Sequence, residues 1–221
     1  MPQLKICGIT DAAFAVEAAW RGVDYLGLIF AEGSPRRVTV EQARLIVAAV
    51  RETSSAGRGV SDAPRFVGVF VNHTAEAIVE IATSLALDVI QLHGGYGAEA
   101  VAAFKAKGYE VWRLFDGGRG ATALPGGGAQ LVATEADAVL LDGRKGTQCG
   151  GTGVRADWSL VEPLKRAGGR VVLAGGIAVA NIADAAATGA DVIDVNSSLE
   201  TAPGKKSLAL LDELLGVWRV L

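Results

Sequence analysis

Short apolar runs alternate with amphipathic stretches along nearly the whole chain. LKICGIT (4–10) is followed by DAAFAVEAAWRG, in which Phe14, Val16, Ala18, Ala19 and Trp20 cover one helical face before Gly22 ends it. The pattern repeats with a strand over 25–30, a loop carrying Pro35, Arg36 and Arg37, and a helix over VTVEQARLIVAAVRE. Thr39 caps that helix, and Ala43, Ile46, Val47 and Val50 stand at helical spacing. RFVGVFVN, LDVIQLHGG, YEVWRLF, ADAVLLDG, RVVLAGGI and ADVIDVNSS supply six further strands, most of them followed by a helical stretch. Two segments break the rhythm. TSSAGRGVSDAP (53–64) turns small and polar and reads as a surface loop, and DGGRGATALPGGGAQ (116–130) holds too much glycine, together with Pro125, for an ordinary helix.

Eight strands that are apolar throughout, as burial on both faces demands, predict a single-domain (β/α)8 TIM barrel over 1–221, with the Gly/Pro-rich segment in place of the fifth helix. A doubly wound open sheet is the competing architecture. It calls for a GxGxxG turn after the first strand, where KICGIT holds one glycine.

Composition narrows the ligand class. The chain has 221 residues, half of them hydrophobic, and 24 acidic against 21 basic residues in mixed order. Neither a nucleic-acid footprint nor a polybasic membrane patch stands out, which leaves a small molecule as the expected partner. No apolar run reaches the roughly 18 residues of a membrane span, and a cytoplasmic protein is expected. Cys7 and Cys149 are too few for a disulfide framework, and His73 and His93 are too far apart for a zinc spacing, so no metal site is expected.

In such a barrel the chemistry gathers at the C-terminal ends of the strands. Those ends present Cys7, Asn72, His93, Asp142, Gly175 with Gly176, and Asp194 with Asn196 and Ser197; Arg36 follows strand two. Cys7 and Asp142 form a candidate base and acid, provided neighbouring cations lower the thiol pKa and burial raises that of the carboxyl. Alternation puts Lys5 on the same face as Cys7, where its charge favours the thiolate. Each residue also has a plain structural reading, Cys7 as a small buried hydrophobe and Asp142 as a turn former before Gly143. CGGTG (149–153, with Gly150 and Gly151), LAGGI (173–177) and NSS (196–198) follow three successive strands and supply backbone N–H groups that suit a phosphate. Arg36 suits bidentate pairing with a carboxylate. His93 reads as a strand-end residue satisfying hydrogen bonds, and Cys149 as a neighbour of the phosphate loop that approaches Cys7 only if the barrel mouth brings them together.

KICGIT, LGLIF with SPR, VGVFVN, IQLHGG, LLDG with GGTG and DW, LAGGI with N, and DVNSSLE with PGKKS together resemble phosphoribosylanthranilate isomerase, in order and at compatible spacing from residue 4 to about 207. The resemblance implies an Amadori rearrangement in tryptophan biosynthesis on a small phosphoribosyl substrate, with no metal or organic cofactor. Asp142 would be the general acid on the furanose oxygen and Cys7 the base that removes the C2′ proton. Arg36 would hold the anthranilate carboxylate, Asp194 would contact sugar hydroxyls or orient Arg36, and the glycine turns with Asn196 and Ser197 would hold the phosphate. The last phosphate segment reads NSSLE where the family has SSGVE, so Ser198 stands in place of a glycine. The rival readings are another phosphosugar barrel enzyme, such as one using a lysine Schiff base, and a non-catalytic phosphosugar-binding barrel.

Overall fold

Along β1 (Gln3–Cys7), Leu4 and Ile6 face an outer helical layer, while Lys5 and Cys7 face the opposite way. A strand with apolar residues on one face and two reactive ones on the other fits a sheet closed on itself, and the computed structural model has that form. It describes residues 1–55, 63–115, 136–143 and 156–221. β1, β2 (Tyr25–Ile29), β3 (Arg65–Val71), β4 (Val89–His93), β5 (Glu110–Leu114), β6 (Ala138–Leu141), β7 (Val171–Leu173) and β8 (Val192–Val195) form a closed, parallel barrel in sequence order.

The helices that wrap it are α1 (Ala12–Trp20), α2 (Val40–Ser55), α3 (Ala75–Leu85), α4 (Ala98–Ala106), α5 (Val161–Arg166), α6 (Ile182–Ala187) and α7 (Leu208–Trp218). The starts of α1, α2, α3 and α7 are set by side chains that satisfy otherwise orphaned backbone N–H groups. Asp11 accepts from Phe14 N at 2.7 Å, and Thr39 and Gln42 each accept from the other's backbone N–H, a reciprocal capping box. Gly22, at φ +81°, ends α1 as its sequence predicts.

One boundary differs from expectation. α2 runs through Ser55 into the segment read as a loop from 53. Thr53, still helical, donates its hydroxyl back to the Ala49 and Val50 carbonyls, local bonds that polar composition alone does not reveal. The 116–130 segment, Gly150, Gly151 and Cys149 lie outside the described residues.

Inside the barrel, Tyr25, Val67, Val89, Trp112, Ala138 and Val172 fill the lower layers. The floor is polar: Glu110 pairs with Arg65 at 2.6 Å and with Arg170, while Arg170 also donates to Gln3 and to the Tyr25 hydroxyl. Also at this N-terminal end, Asp24, Asp88, Asp137 and Asp191 stand just before β2, β4, β6 and β8. Their carboxylates accept from the backbone N–H of Leu4, Phe66, Val111 and Val171 at 2.7, 2.7, 2.9 and 2.7 Å. Each aspartate returns its own N–H to the carbonyl of the same residue. Every even strand is thereby clasped to the odd strand before it.

Beyond β8 the chain makes a short antiparallel hairpin, β9 (Glu200–Ala202) and β10 (Lys205–Lys206), before α7. Gly204 at its tip adopts φ +79°, and a Cβ there would lie 2.9 Å from the Pro35 carbonyl oxygen. Thr10 Oγ1 donates to the Gly204 carbonyl at 2.5 Å, so the hairpin is fastened over the ends of β1 and β2.

Candidate active site

The cleft opens at the C-terminal ends of the strands, as the barrel rule requires. It spans about 770 Å³, open solvent at the mouth included, and its lining contains Cys7, Arg36, Asp142, Gly175, Gly176, Asp194, Asn196 and Ser197. Of the described strand-end residues singled out in the sequence, all but Asn72 converge on this lining. Gln91 and His93 from β4 join them on the wall. His93 Nε2 lies 2.8 Å from the Gln91 amide nitrogen, which makes the strand-end hydrogen bond expected of it while leaving it on the cleft surface.

Cys7 sits against Gly27, its register partner on β2. A Cβ at 27 would fall 2.8 Å from Cys7 Sγ, so the missing side chain is what leaves room for the thiol. Beneath it, Lys5 and Asp194 are register partners on β1 and β8, both point inward, and Lys5 Nζ meets Asp194 Oδ2 at 2.6 Å. Lys5 is fully buried and Asp194 6% exposed, so the ion pair works in a low-dielectric core. Burial opposes the Lys5 charge, but Asp194 and Cys7 outweigh it and hold the ammonium above its usual range. Burial pushes the Asp194 carboxyl up against the pull of Lys5 and Lys206. Its second oxygen, Oδ1, is buried without a hydrogen-bond partner among the described residues.

The thiol differs from expectation. Burial pushes Cys7 above its ordinary range, Lys5 draws it back, Asp194 adds to the rise and Lys206 opposes it. Lys5 thus acts on Cys7 in the expected direction without overcoming desolvation. A buried thiol that ionises reluctantly is correspondingly basic once it has ionised.

Arg36 is held by Glu200, while Asp194 pairs with Lys5. Its Nε donates to Glu200 Oε1 and Oε2 at 2.9 and 3.1 Å, and Nη2 donates to Oε2 at 2.8 Å. The carboxylate occupies one edge of the guanidinium and leaves both Nη1 hydrogens and one Nη2 hydrogen for a ligand approaching end-on. Sequence reasoning missed Glu200 and Lys206. The only local signal is the turn chemistry of Pro203–Gly204, and nothing in the linear order ties it to Arg36.

On the other side of the cleft, Gly175 and Gly176 adopt φ +82° and +67°, conformations that glycine takes without strain. Asn181 Oδ1 accepts from Ala178 N at 2.8 Å and its Nδ2 donates to the Gly176 carbonyl at 2.9 Å, which fixes this turn. Ser198 donates its hydroxyl to the Ile177 carbonyl at 2.7 Å and so stitches the turns after β7 and β8 together. The arrangement brings a buried thiol, a carboxyl, a fixed guanidinium and glycine-built turns to one cleft.

Residues 4–216 match the family described as N-(5′-phosphoribosyl)anthranilate isomerase. The chain is 40% identical over 215 residues to the N-(5′-phosphoribosyl)anthranilate isomerase of Rubrobacter xylanophilus, with 94% of each chain covered. It is 38% identical over 214 residues to the tryptophan biosynthesis protein TrpCF of Vibrio cholerae, of which it spans only 40% of the length. Among solved structures, phosphoribosyl anthranilate isomerase from Thermus thermophilus superimposes with a TM-score of 0.78 at 32% identity, covering 99% of this chain and 98% of the other. A phosphoribosyl anthranilate isomerase in complex with reduced 1-(o-carboxyphenylamino)-1-deoxyribulose 5-phosphate gives 0.77 at 27% identity, with both chains fully covered.

Proposed function

The chain belongs to the N-(5′-phosphoribosyl)anthranilate isomerase family, and we propose that it carries out that family's reaction in tryptophan biosynthesis. The reaction is the Amadori rearrangement of N-(5′-phosphoribosyl)anthranilate to 1-(2-carboxyphenylamino)-1-deoxyribulose 5-phosphate. The carrying observation is that one cleft at the C-terminal rim is lined by Cys7, Asp142, the end-on face of Arg36 and the Gly175–Gly176 turn. The substrate has a carboxylate at one end and a phosphate at the other, with the reacting carbons between them, and the cleft lining holds a candidate group for each.

Asp142 donates a proton to the furanose oxygen, the ring opens, and the electron pair on the anilinic nitrogen forms an iminium. Cys7 as thiolate then removes the C2′ proton. The C2′–H electron pair flows into the iminium, giving an enolamine that tautomerises to the ketone. Because the iminium nitrogen accepts those electrons, the scheme is complete with one acid and one base. Arg36 binds the anthranilate carboxylate through its Nη1 and Nη2 hydrogens. Gly175, Gly176, Asn196 and Ser197, together with Gly150 and Gly151, hold the phosphate. Asp194 offers its unpartnered Oδ1 to a ribose hydroxyl, which would satisfy a buried acceptor. Lys5 supports the Cys7 thiolate from below and is not a nucleophile, because Asp194 keeps it protonated and a Schiff base needs the free amine. The described residues include no helix long and apolar enough to cross a membrane.

The direct test is loss of the substrate's fluorescence on addition of purified protein to freshly formed N-(5′-phosphoribosyl)anthranilate. A slope no steeper than spontaneous decay would remove the assignment.

A further inference from the structure

The hairpin after β8 carries two charged side chains that the proton-transfer scheme does not use, and both are almost completely enclosed. The side chains of Glu200 and Lys206 are 3% and 2% exposed. Lys206 Nζ has three hydrogens and three acceptors: the Asn196 carbonyl, Asn196 Oδ1 and Glu200 Oε1, each at 2.8 Å. With its donors used, it has none left for a ligand. Glu200 takes that bond from Lys206 and closes the fork on Arg36. Gly8, at φ +72°, leaves the gap through which this cluster is threaded, since a Cβ there would lie 2.8 Å from both Arg36 Cδ and Asn196 Oδ1.

From this chain of contacts we infer that Glu200 and Lys206 are positioning residues, with Glu200 aiming Arg36 at the substrate carboxylate and Lys206 fixing Asn196 at the phosphate end. The inference rests on the proposed reading of the cleft as a two-anion site. Buried groups with every donor committed serve geometry, because they cannot reorient without leaving an unsatisfied charge. The positive charges of Arg36 and Lys206 exceed the single negative charge of Glu200 by one, so the cluster remains attractive to an anion while only Arg36 presents free donors to it.

The geometry makes Glu200→Gln decisive, because simple charge and positioning predict opposite signs. Removing a negative charge beside Arg36 tightens anion binding if Glu200 merely dilutes the local positive field. If Glu200 aims the guanidinium, the uncharged amide grips it less well and binding weakens. Calorimetric titration of the whole chain with anthranilate and, separately, with inorganic phosphate reads the two ends without requiring turnover. Glu200→Gln is expected to weaken anthranilate by about tenfold or more and to leave phosphate within about twofold. Lys206→Met is expected to weaken both probes. Unchanged or tighter anthranilate binding in Glu200→Gln, or unchanged phosphate binding in Lys206→Met, overturns the inference. If Glu200→Gln fails to fold, Glu200→Asp keeps the charge and shortens the arm by one methylene, and undiminished anthranilate affinity there has the same force. Turnover of N-(5′-phosphoribosyl)anthranilate by the unaltered chain separately decides the assigned reaction.

Discussion

Replacing Lys5 by Met leaves the Asp194 carboxyl in the barrel interior without the cation that meets it at 2.6 Å. A lone buried carboxylate is far costlier than a neutral acid, so the variant folds with Asp194 protonated. Taking up that proton against an unfolded pKa near 3.9 costs about 1.4 kcal/mol per pH unit, or about 4 kcal/mol at pH 7. This is a ceiling, because burial already raises Asp194 in the unaltered protein and the penalty begins only above that raised value. It agrees with the 3–5 kcal/mol typical of breaking a buried pair, and for a chain of this length corresponds to a Tm lower by roughly 8–16 °C. The sign follows from proton binding. The folded variant keeps a proton that the unfolded chain has lost, so the gap between variant and unaltered protein widens as pH rises above the raised Asp194 value of the unaltered protein and closes below it. Calorimetric melting from pH 4.5 to 7.5 measures it. The double variant Lys5→Met/Asp194→Leu should recover most of the stability and lose the added pH slope. The thiolate of Cys7 loses its nearest cation in both variants, so the limb of the kcat profile that follows Cys7 ionisation moves to higher pH in each. A stability gap independent of pH, or an unmoved kcat profile in the double variant, refutes the reasoning.

Cys7→Ser should lower kcat by orders of magnitude with Tm nearly unchanged, since a hydroxyl is a far weaker base; steady-state turnover with a parallel melt checks it. Asp142→Asn should abolish turnover while calorimetry still detects phosphate binding, because the amide keeps the shape and loses the transferable proton. Arg36→Met should act mainly on KM, by about tenfold or more, through loss of the carboxylate contact, and an unaltered KM removes that contact from the scheme. Gly27→Ala places a methyl 2.8 Å from Cys7 Sγ, so the thiol must shift. A displacement of that order is expected to cost about one to two orders of magnitude in kcat, read at saturating substrate, with a few degrees lost from Tm.

Much of this was legible in the chain itself. Burial on both faces makes the barrel strands uniformly apolar, and polar residues at their C-terminal ends, such as Cys7 and Asp194, stand out against that background. The pairings across the barrel were not legible. Lys5 and Asp194 are 189 residues apart and meet only because closure makes β1 and β8 register partners. Arg36 and Glu200 are 164 apart and meet through a hairpin absent from the regular alternation. The balance of Cys7 was also hidden, since a neighbouring lysine is visible in sequence and the depth of burial opposing it is not.

The four aspartate clasps at the N-terminal end bear on how the molecule assembles. Each closes over only 20 to 26 residues of chain, so each odd strand can find its even neighbour from local sequence, before any distant segment is in place. A slip of one residue within such a pair would forfeit the clasp and turn the inward set outward. The chain is in this sense four copies of one self-registering two-strand module, and closing the ring aligns their far ends. The residues that specify assembly and those that would handle substrate occupy opposite ends of the same strands. Substitution at Asp24 or Asp191 should therefore slow or weaken folding while the surviving folded molecules turn over substrate normally.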